Sequence, residues 1–367
     1  MTASPAASAA CPRCLARAWL LVRLAGHLER VRGRILPVLA LDDQELIAAV
    51  AGEGAAEVSE QLVRFDPVAA LKRNHAAGVD AICRHHHSYP RALRSLEAPP
   101  AVLHIAGRGA EELGRVEACQ PVAIVGSRRA SAYGLQLAGS LGRGLAGAGV
   151  PVVSGMALGI DSAAHAGALE ARGVTVAVLA SGAERAYPSS KRRLYERICA
   201  EGVVVSELPP GAGTWKWAFP ARNRLVAALA VMTIVVEAGG RSGALITAGL
   251  AGDLGRAVGA VPGRVTSAGA AGPNALIAGG AHLITDPQDV LDFVFGAGAR
   301  TAPSRTRAEL TPALQHLLGE IAGGNNTAAA LERAGVEPER GLAALAALEL
   351  AGYVVREPGG RFTVTTA

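Results

Sequence analysis

The sequence predicts an α/β protein built on a doubly wound, mostly parallel sheet. Three observations predict it. Seven short apolar runs rich in β-branched residues recur at 122–125, 150–153, 174–179, 203–205, 232–236, 257–261 and 282–284, and helical patterns separate them. The runs are continuously apolar rather than alternating, as strands are when helices cover both faces of their sheet. Aromatic residues are only 4% of the 367 residues while Gly numbers 45, so the core is expected to be Ala, Val, Leu and Ile packed closely in many short βα units.

In chain order, residues 1–75 read as a small helical module. Asp42, Asp43 and Glu45 stand just before Leu46 and Ile47, where acids suit a helix N-terminus. Residues 76–120 form a connecting segment with strand-like pieces at 79–83 and 102–106, among Pro90, Pro99 and Pro100, leading into the sheet. Residues 121–296 carry the seven runs, with 132–148 as the first covering helix. An Ala-, Pro-, Ser- and Thr-rich linker is expected over 297–307. The tail, 308–367, has helical patterns at 312–321, 327–333 and 338–350, then a hairpin around Pro358, Gly359 and Gly360, which together suggest a winged-helix domain. The middle of its third helix reads Leu-Ala-Ala-Leu-Ala-Ala-Leu, a face suited to protein packing more than to reading bases.

Composition narrows the function. The charged fraction of 18% and apolar fraction of 50% belong to a folded chain with a large core, not to a disordered or collagen-like one. The long uncharged stretches at 144–160 and 265–285 are broken by Pro and Gly, so neither is an apolar span of about 20 residues and no membrane helix is expected. Arg13, Arg17 and Arg23 interrupt every apolar run that would serve a signal peptide, which makes the cytoplasm the expected compartment. The chain carries a formal charge of +5, and residues 121–290 alone hold 15 Lys and Arg against 10 Asp and Glu. A polyanionic partner is implied for that domain.

Five Cys at scattered positions (Cys11, Cys14, Cys83, Cys119, Cys199) do not make a disulfide framework, and reduced thiols are expected. Cys11-Pro12-Arg13-Cys14 is a CxxC, but a structural zinc needs four ligands and no second CxxC or HxxxH follows at finger spacing. His85, His86 and His87 on a strand would point to alternate faces, so at most two could share a metal. No metal or other cofactor is expected.

In a doubly wound sheet, ligands bind at the carboxyl ends of the strands. After the run ending at Val125 come Gly126, Ser127, Arg128 and Arg129, with Tyr133 and Gly134 opening a helix, a combination of backbone N–H groups and a guanidinium that binds phosphate. The next strand ends at Ser154-Gly155, followed by Asp161 at a helix start and His165 a turn later. Asp161 reads as an N-cap, with an Asp161–His165 acid–base pair as the minor reading. After Leu179 a basic segment holds Arg185, Lys191, Arg192 and Arg193. Arg222 and Arg224 follow Phe219-Pro220-Ala221, and at i and i+2 they cannot face the same way: one is expected to pair internally, the other to meet phosphate. Glu237 ends the strand at 232–236, as a partner for Arg222 or Arg224 or as a contact to a ribose or base, and Ser242-Gly243 opens a helix with N–H groups for an anion.

Together the motifs Val122-Ala-Ile-Val-Gly-Ser-Arg128, Ser154-Gly-Met-Ala-Leu-Gly-Ile-Asp161, Tyr187-Pro188, Ser206-Glu207, Phe219-Pro-Ala-Arg-Asn-Arg224, Glu237-Ala238, Ser242-Gly-Ala-Leu-Ile-Thr247, Pro262-Gly263 and Asn274-Ala-Leu-Ile277 closely resemble the DprA/Smf family of DNA-processing proteins. They cover about residues 121–290. The resemblance implies a Rossmann-like DNA-binding domain over 121–296, preceded by a SAM-like helical module and followed by a winged helix. It further implies binding of single-stranded DNA without strong sequence preference, a homodimer, loading of RecA recombinase onto the strand during natural transformation, and no established reaction. Carried over, the phosphate contacts fall on Gly126, Ser127 and Arg128, on Ser154 and Gly155, on Lys191 and Arg192 after Tyr187-Pro188, and on Ser242 and Gly243. Arg222 and Arg224 join them from the residue reading. The family usually has Asn where Lys191 stands.

Two other readings compete. The lonely-guy phosphoribohydrolases share this kind of sheet and act on nucleoside monophosphates, but their Pro-Gly-Gly-x-Gly-Thr loop is absent, with only Pro262-Gly263 present. The C-terminal domain as a duplex-DNA reader is the other. Aromatic residues for base stacking are few, and Trp215 and Trp217 are the candidates in the loop before Phe219.

Overall fold

The computed structural model describes residues 10–303, 310–357 and 359–365. Residues 1–9 of the expected N-terminal module, 304–307 of the expected linker, 308–309 and 366–367 of the expected C-terminal domain and Pro358 of the expected turn lie outside the described residues. The chain divides into two compact units, Met1–Ala302 and Pro303–Ala367.

All seven apolar runs are strands. They are β3 (Val122–Val125), β4 (Val152–Ser154), β5 (Thr175–Leu179), β6 (Val203–Ser206), β7 (Met232–Val235), β8 (Ala257–Ala260) and β9 (His282–Leu283), and the connecting segment adds β1 (Asp80–Cys83) and β2 (Val102–Gly107). One nine-stranded sheet results, ordered β1-β2-β6-β5-β4-β3-β7-β8-β9. β3 through β9 pair in parallel, in registers such as Val122 with both Val152 and Met232. β1 and β2 run antiparallel to their neighbours. The connecting segment is therefore part of the sheet, which starts at residue 80 and not at 121.

β3 to β6 run outward in one direction and β7 to β9 in the other, so the strand order reverses between β3 and β7. Separate hydrophobic clusters lie on the two faces of the sheet. One packs Leu225, Val226, Ala244 and Ala248 against Val125 and Val235, while the other packs Leu137, Leu141 and Ala164 against Val122, Ile124 and Ile234. With almost no aromatics, closeness comes from glycine. A Cβ at Gly142 of the helix Ala132–Gly147 would stand 2.3 Å from the Ala164 carbonyl oxygen, and one at Gly167 of the helix Ile160–Glu170 would stand 2.1 Å from that of Gly139. These two helices meet backbone to backbone.

The N-terminal helices are not a free-standing module. Leu20, Leu24, Leu28, Ile47 and Val58 share a cluster with Leu208, Ala212, Trp217 and Ala221, which follow β6. The acidic start at Asp42 is a capping box: Asp42 Oδ1 accepts from the Glu45 N–H at 2.8 Å, and Glu45 Oε2 accepts from the Asp42 N–H at 3.1 Å. In the second unit, helices Pro312–Ala322, Ala328–Arg333 and Pro338–Leu350 precede an antiparallel pair, β10 (Val354–Arg356) and β11 (Phe362–Val364). Leu317, Leu331, Leu345, Val354 and Phe362 form its own core. Among the described residues no helix is long and apolar enough to cross a membrane.

Gly167→Ala is expected to destabilise the larger unit by about 1–3 kcal/mol through overpacking, read as a lower urea midpoint. Gly249→Ala, exposed in the helix Gly243–Asp253 with nothing within 4 Å of its Cβ position, should instead stabilise it by about 0.5–1 kcal/mol.

Candidate nucleic-acid interface

Two adjoining recesses open at the carboxyl ends of β3, β4, β5 and β7. The larger, about 270 Å³, is lined among others by Gly126, Arg128, Gly155, Arg222, Ser242 and Gly243. The smaller, about 110 Å³, takes Arg128, Gly155 and Arg222 as shared wall and adds Tyr187. Six of the eleven residues expected from sequence are thus brought together at the place where the strand order reverses. The larger recess falls just below the roughly 300–1,000 Å³ of pockets that enclose a small molecule, and both are open.

Arg222 forms the floor. It is 7% exposed, and Nη1 donates to the Gly155 carbonyl oxygen at 2.7 Å and to the Val178 carbonyl oxygen. A Cβ at Gly155 would stand 2.0 Å from Nη1, so only glycine lets the guanidinium pass. Asp161 supplies the counter-charge. Burial pushes its carboxyl above the ordinary range, against the pull of Arg222 and of the Ala157, Gly155 and Gly126 N–H groups, and the Gly155 N–H donates to Asp161 Oδ2 at 3.2 Å. Burial likewise pulls Arg222 down, and Asp161 opposes that.

Arg128 forms the exposed rim. Its guanidinium carbon stands 5.0 Å from the centroid of the Phe219 ring, within cation–π reach. The Tyr187 ring lies 5.7 Å from Phe219 and is 38% exposed. On the other side of the larger recess is the N-terminus of the helix Gly243–Asp253, capped by Ser242 Oγ accepting from the Ala244 N–H at 3.3 Å. Phe219 as the support of Arg128 was missed in the sequence, although Phe219 opens the helix Ala218–Leu229 and Tyr187 follows β5, both within motifs read from the sequence.

Several expectations are corrected. Ser154 is fully buried and its hydroxyl donates to the Ile124 carbonyl at 2.6 Å, a bond between neighbouring strands that leaves nothing for phosphate. The Ser127 N–H is taken by the Glu237 carbonyl at 2.6 Å. Arg224 is 3% exposed, paired with Glu207 at 2.7 Å and donating to the Ala98 and Ala221 carbonyls. Both Arg222 and Arg224 turn inward, to different partners. Glu237 pairs with neither: it accepts from the Ser131 N–H at 2.9 Å and the Ser131 hydroxyl at 2.5 Å, so a carboxylate already occupies the start of the helix Ala132–Gly147. Asp161 stands inside the first turn, with Gly159 as the N-cap residue. His165 turns away from it: fully buried, its Nδ1 donates to Thr175 Oγ1 at 2.7 Å, and burial lowers its pKa to about 3. Trp217 is 1% exposed in the core shared with the N-terminal helices, which removes it as a stacking surface. Lys191 and Arg192 lie beyond the recesses, in the segment after Tyr187, and Arg192 pairs with Glu196 at 2.8 Å.

The model of a protein family, DNA recombination-mediator protein A, matches residues 80–295. A DNA processing protein DprA of Mycobacterium tuberculosis is 44% identical over 238 residues, 63% of this chain. The match spans only 61% of that relative's own length. The DNA processing protein DprA of Bacillus subtilis is 34% identical over 256 residues, 70% of this chain and 84% of the relative. Among solved structures, DNA processing protein A from Streptococcus pneumoniae superposes with a TM-score of 0.61 at 31% identity, covering 76% of this chain and 95% of that one. The protein from Helicobacter pylori, described for a unique single-stranded DNA binding mode, gives 0.51 at 30% identity over 56% of this chain and 92% of its own.

The internal and rim arginines should separate in stability measurements. Arg224→Gln breaks a buried ion pair, an expected loss of about 3–5 kcal/mol, while Arg128→Ala should stay within about 0.5 kcal/mol of the parent, both from urea denaturation of the full chain.

Proposed function

The chain belongs to the DNA recombination-mediator protein A (DprA/Smf) family, and on that premise we propose that its larger unit binds single-stranded DNA along the track at the ends of β3, β4, β5 and β7. The observation that carries this reading is Arg128, an exposed guanidinium seated on Phe219 between two open recesses. It meets a phosphate from the rim, and the N-terminus of the helix Gly243–Asp253 offers backbone N–H groups and the positive end of its dipole to another. Tyr187 gives a base a ring to stack on, and every base has a face for it, which makes the binding indifferent to sequence. Lys191, Arg192 and Arg193 extend the positive track beyond Tyr187.

Binding without turnover fits the state of the candidate catalytic groups. His165 is buried and neutral against Thr175, and Glu237 is held by Ser131. Loading of RecA recombinase, a homodimer and a cytoplasmic location complete the proposal, and these rest on the family resemblance.

Anisotropy of a labelled oligo-dT against the full chain should show affinity falling steeply with salt. Arg128→Ala should weaken binding and shallow the log–log salt dependence by about 0.7 for each lost phosphate contact. Tyr187→Ala should cost about 1–3 kcal/mol with the salt slope unchanged. Parent-like binding by Arg128→Ala would remove the site assignment, and preference for duplex that disappears on deleting residues 303–367 would move the activity to the smaller unit.

A further inference from the structure

Far from the track in sequence, the fold assembles four metal-ligating side chains. Cys11 immediately precedes the helix Pro12–Arg23, Cys14 lies in its first turn, Cys83 ends β1, and His85 stands in the turn that follows. The Ala10 N–H donates to the Ala81 carbonyl at 3.0 Å, which brings the start of the helix onto β1. The three Sγ atoms and a ring nitrogen of His85 all lie within 4.8 Å of one another. His85 Nδ1 is 3.6 Å from Cys11 Sγ, 3.5 Å from Cys14 Sγ and 3.8 Å from Cys83 Sγ.

These distances have a direct meaning. With Zn–S of about 2.3 Å and Zn–N of about 2.0–2.1 Å, a tetrahedral site has S···N edges of about 3.6 Å and S···S edges of about 3.8 Å. The imidazole nitrogen is thus already at edge distance from all three sulfurs. We propose that Cys11, Cys14, Cys83 and His85 bind one structural zinc ion that clamps the N-terminal helix to the edge strand β1. Three thiolates and an imidazole in a tetrahedron select zinc among the common divalent ions. A disulfide would use two of the sulfurs and leave the third and the imidazole without a role. With four protein ligands the site is closed, which makes the ion structural and not catalytic.

The recess next to Cys14 is lined by Arg13, Arg17 and Arg84 together with Asp42, Asp43 and Glu97, and Arg17 pairs with Asp43 at 3.0 Å. The Cys11 N–H approaches Cys83 Sγ at 3.5 Å, the kind of hydrogen bond to a ligating atom that orients metal ligands. The spacing hides all this in the sequence, because the ligands come as Cys11-x-x-Cys14 and Cys83-x-His85 and only the pairing of the helix start with β1 unites them. Cys11 and Cys14 precede the residues that the family model matches, so the clamp is independent of the DNA-binding reading.

The test is metal analysis of the untagged full chain, purified without chelator and with thiols kept reduced. One zinc per chain, either as purified or after anaerobic reconstitution with zinc salt, is expected, and Arg128→Ala should retain it. His85→Ala and Cys14→Ser should each lose it. Since such variants can fail for want of folding, cobalt provides the second reading: Co²⁺ in the parent chain should give the intense visible bands of a tetrahedral thiolate site, and His85→Cys should keep the metal while shifting those bands. Substoichiometric zinc both before and after reconstitution overturns the proposal, as does zinc content unchanged in the His85→Ala, Cys14→Ser double variant, or a Cys11–Cys14 disulfide in chain freshly isolated without added reductant.

Discussion

The architecture of the proposed binding track depends on one enclosed guanidinium. Arg222 reaches from the helix Ala218–Leu229 to the carbonyls of Gly155 and Val178, at the ends of β4 and β5, and meets the charge of Asp161 beneath the loop after β4. A cation removed from water is tolerable only when its hydrogen bonds and charge are met, and here the loop that would otherwise hold a ligand is shaped to meet them. Gly155 has no side chain because Arg222 passes through that space. The outcome is a floor whose hydrogen bonds are met within the chain, with the exposed groups above it left for the proposed binding.

A second internal charge sets where an anion can be received. The start of the helix Ala132–Gly147 is the expected phosphate site after β3, yet the Glu237 carboxylate bonds Ser131 there, and a Cβ at Gly134 would lie 2.5 Å from that carboxyl. With that helix start satisfied by the chain itself, the open N-terminus on the track is that of Gly243–Asp253, on the other side of the reversal in strand order. Arg128, after the same strand end, is exposed and seated on Phe219.

Much of this was legible in sequence, for identifiable reasons. Continuous apolar runs reveal doubly covered strands, and all seven formed; the rule that ligands sit at strand ends points to the recesses proposed as the track. What was not legible depended on long-range partners. The i, i+2 spacing of Arg222 and Arg224 does send them in different directions, but Gly155 and Val178 wait in one and Glu207 in the other, and local spacing carries no sign of either. Ser154 ends a strand yet spends its hydroxyl on the adjacent one, and Trp217 is drawn into a core that residues nearly two hundred positions earlier complete. The Cys11, Cys14, Cys83 and His85 cluster was missed for the same reason, since half its members come from the strand that the helix start meets and the turn after it.

The central claim is that the crevice at the reversal of strand order, and no other face, receives the single strand. Hydrogen exchange of the full chain with and without a saturating dT oligonucleotide tests it most directly. Added protection is expected in peptides covering 126–131, 155–158, 187–193 and 242–247. Protection confined to the helices Pro312–Ala322 through Pro338–Leu350, or to the N-terminal helices, with those four segments unchanged, would contradict it.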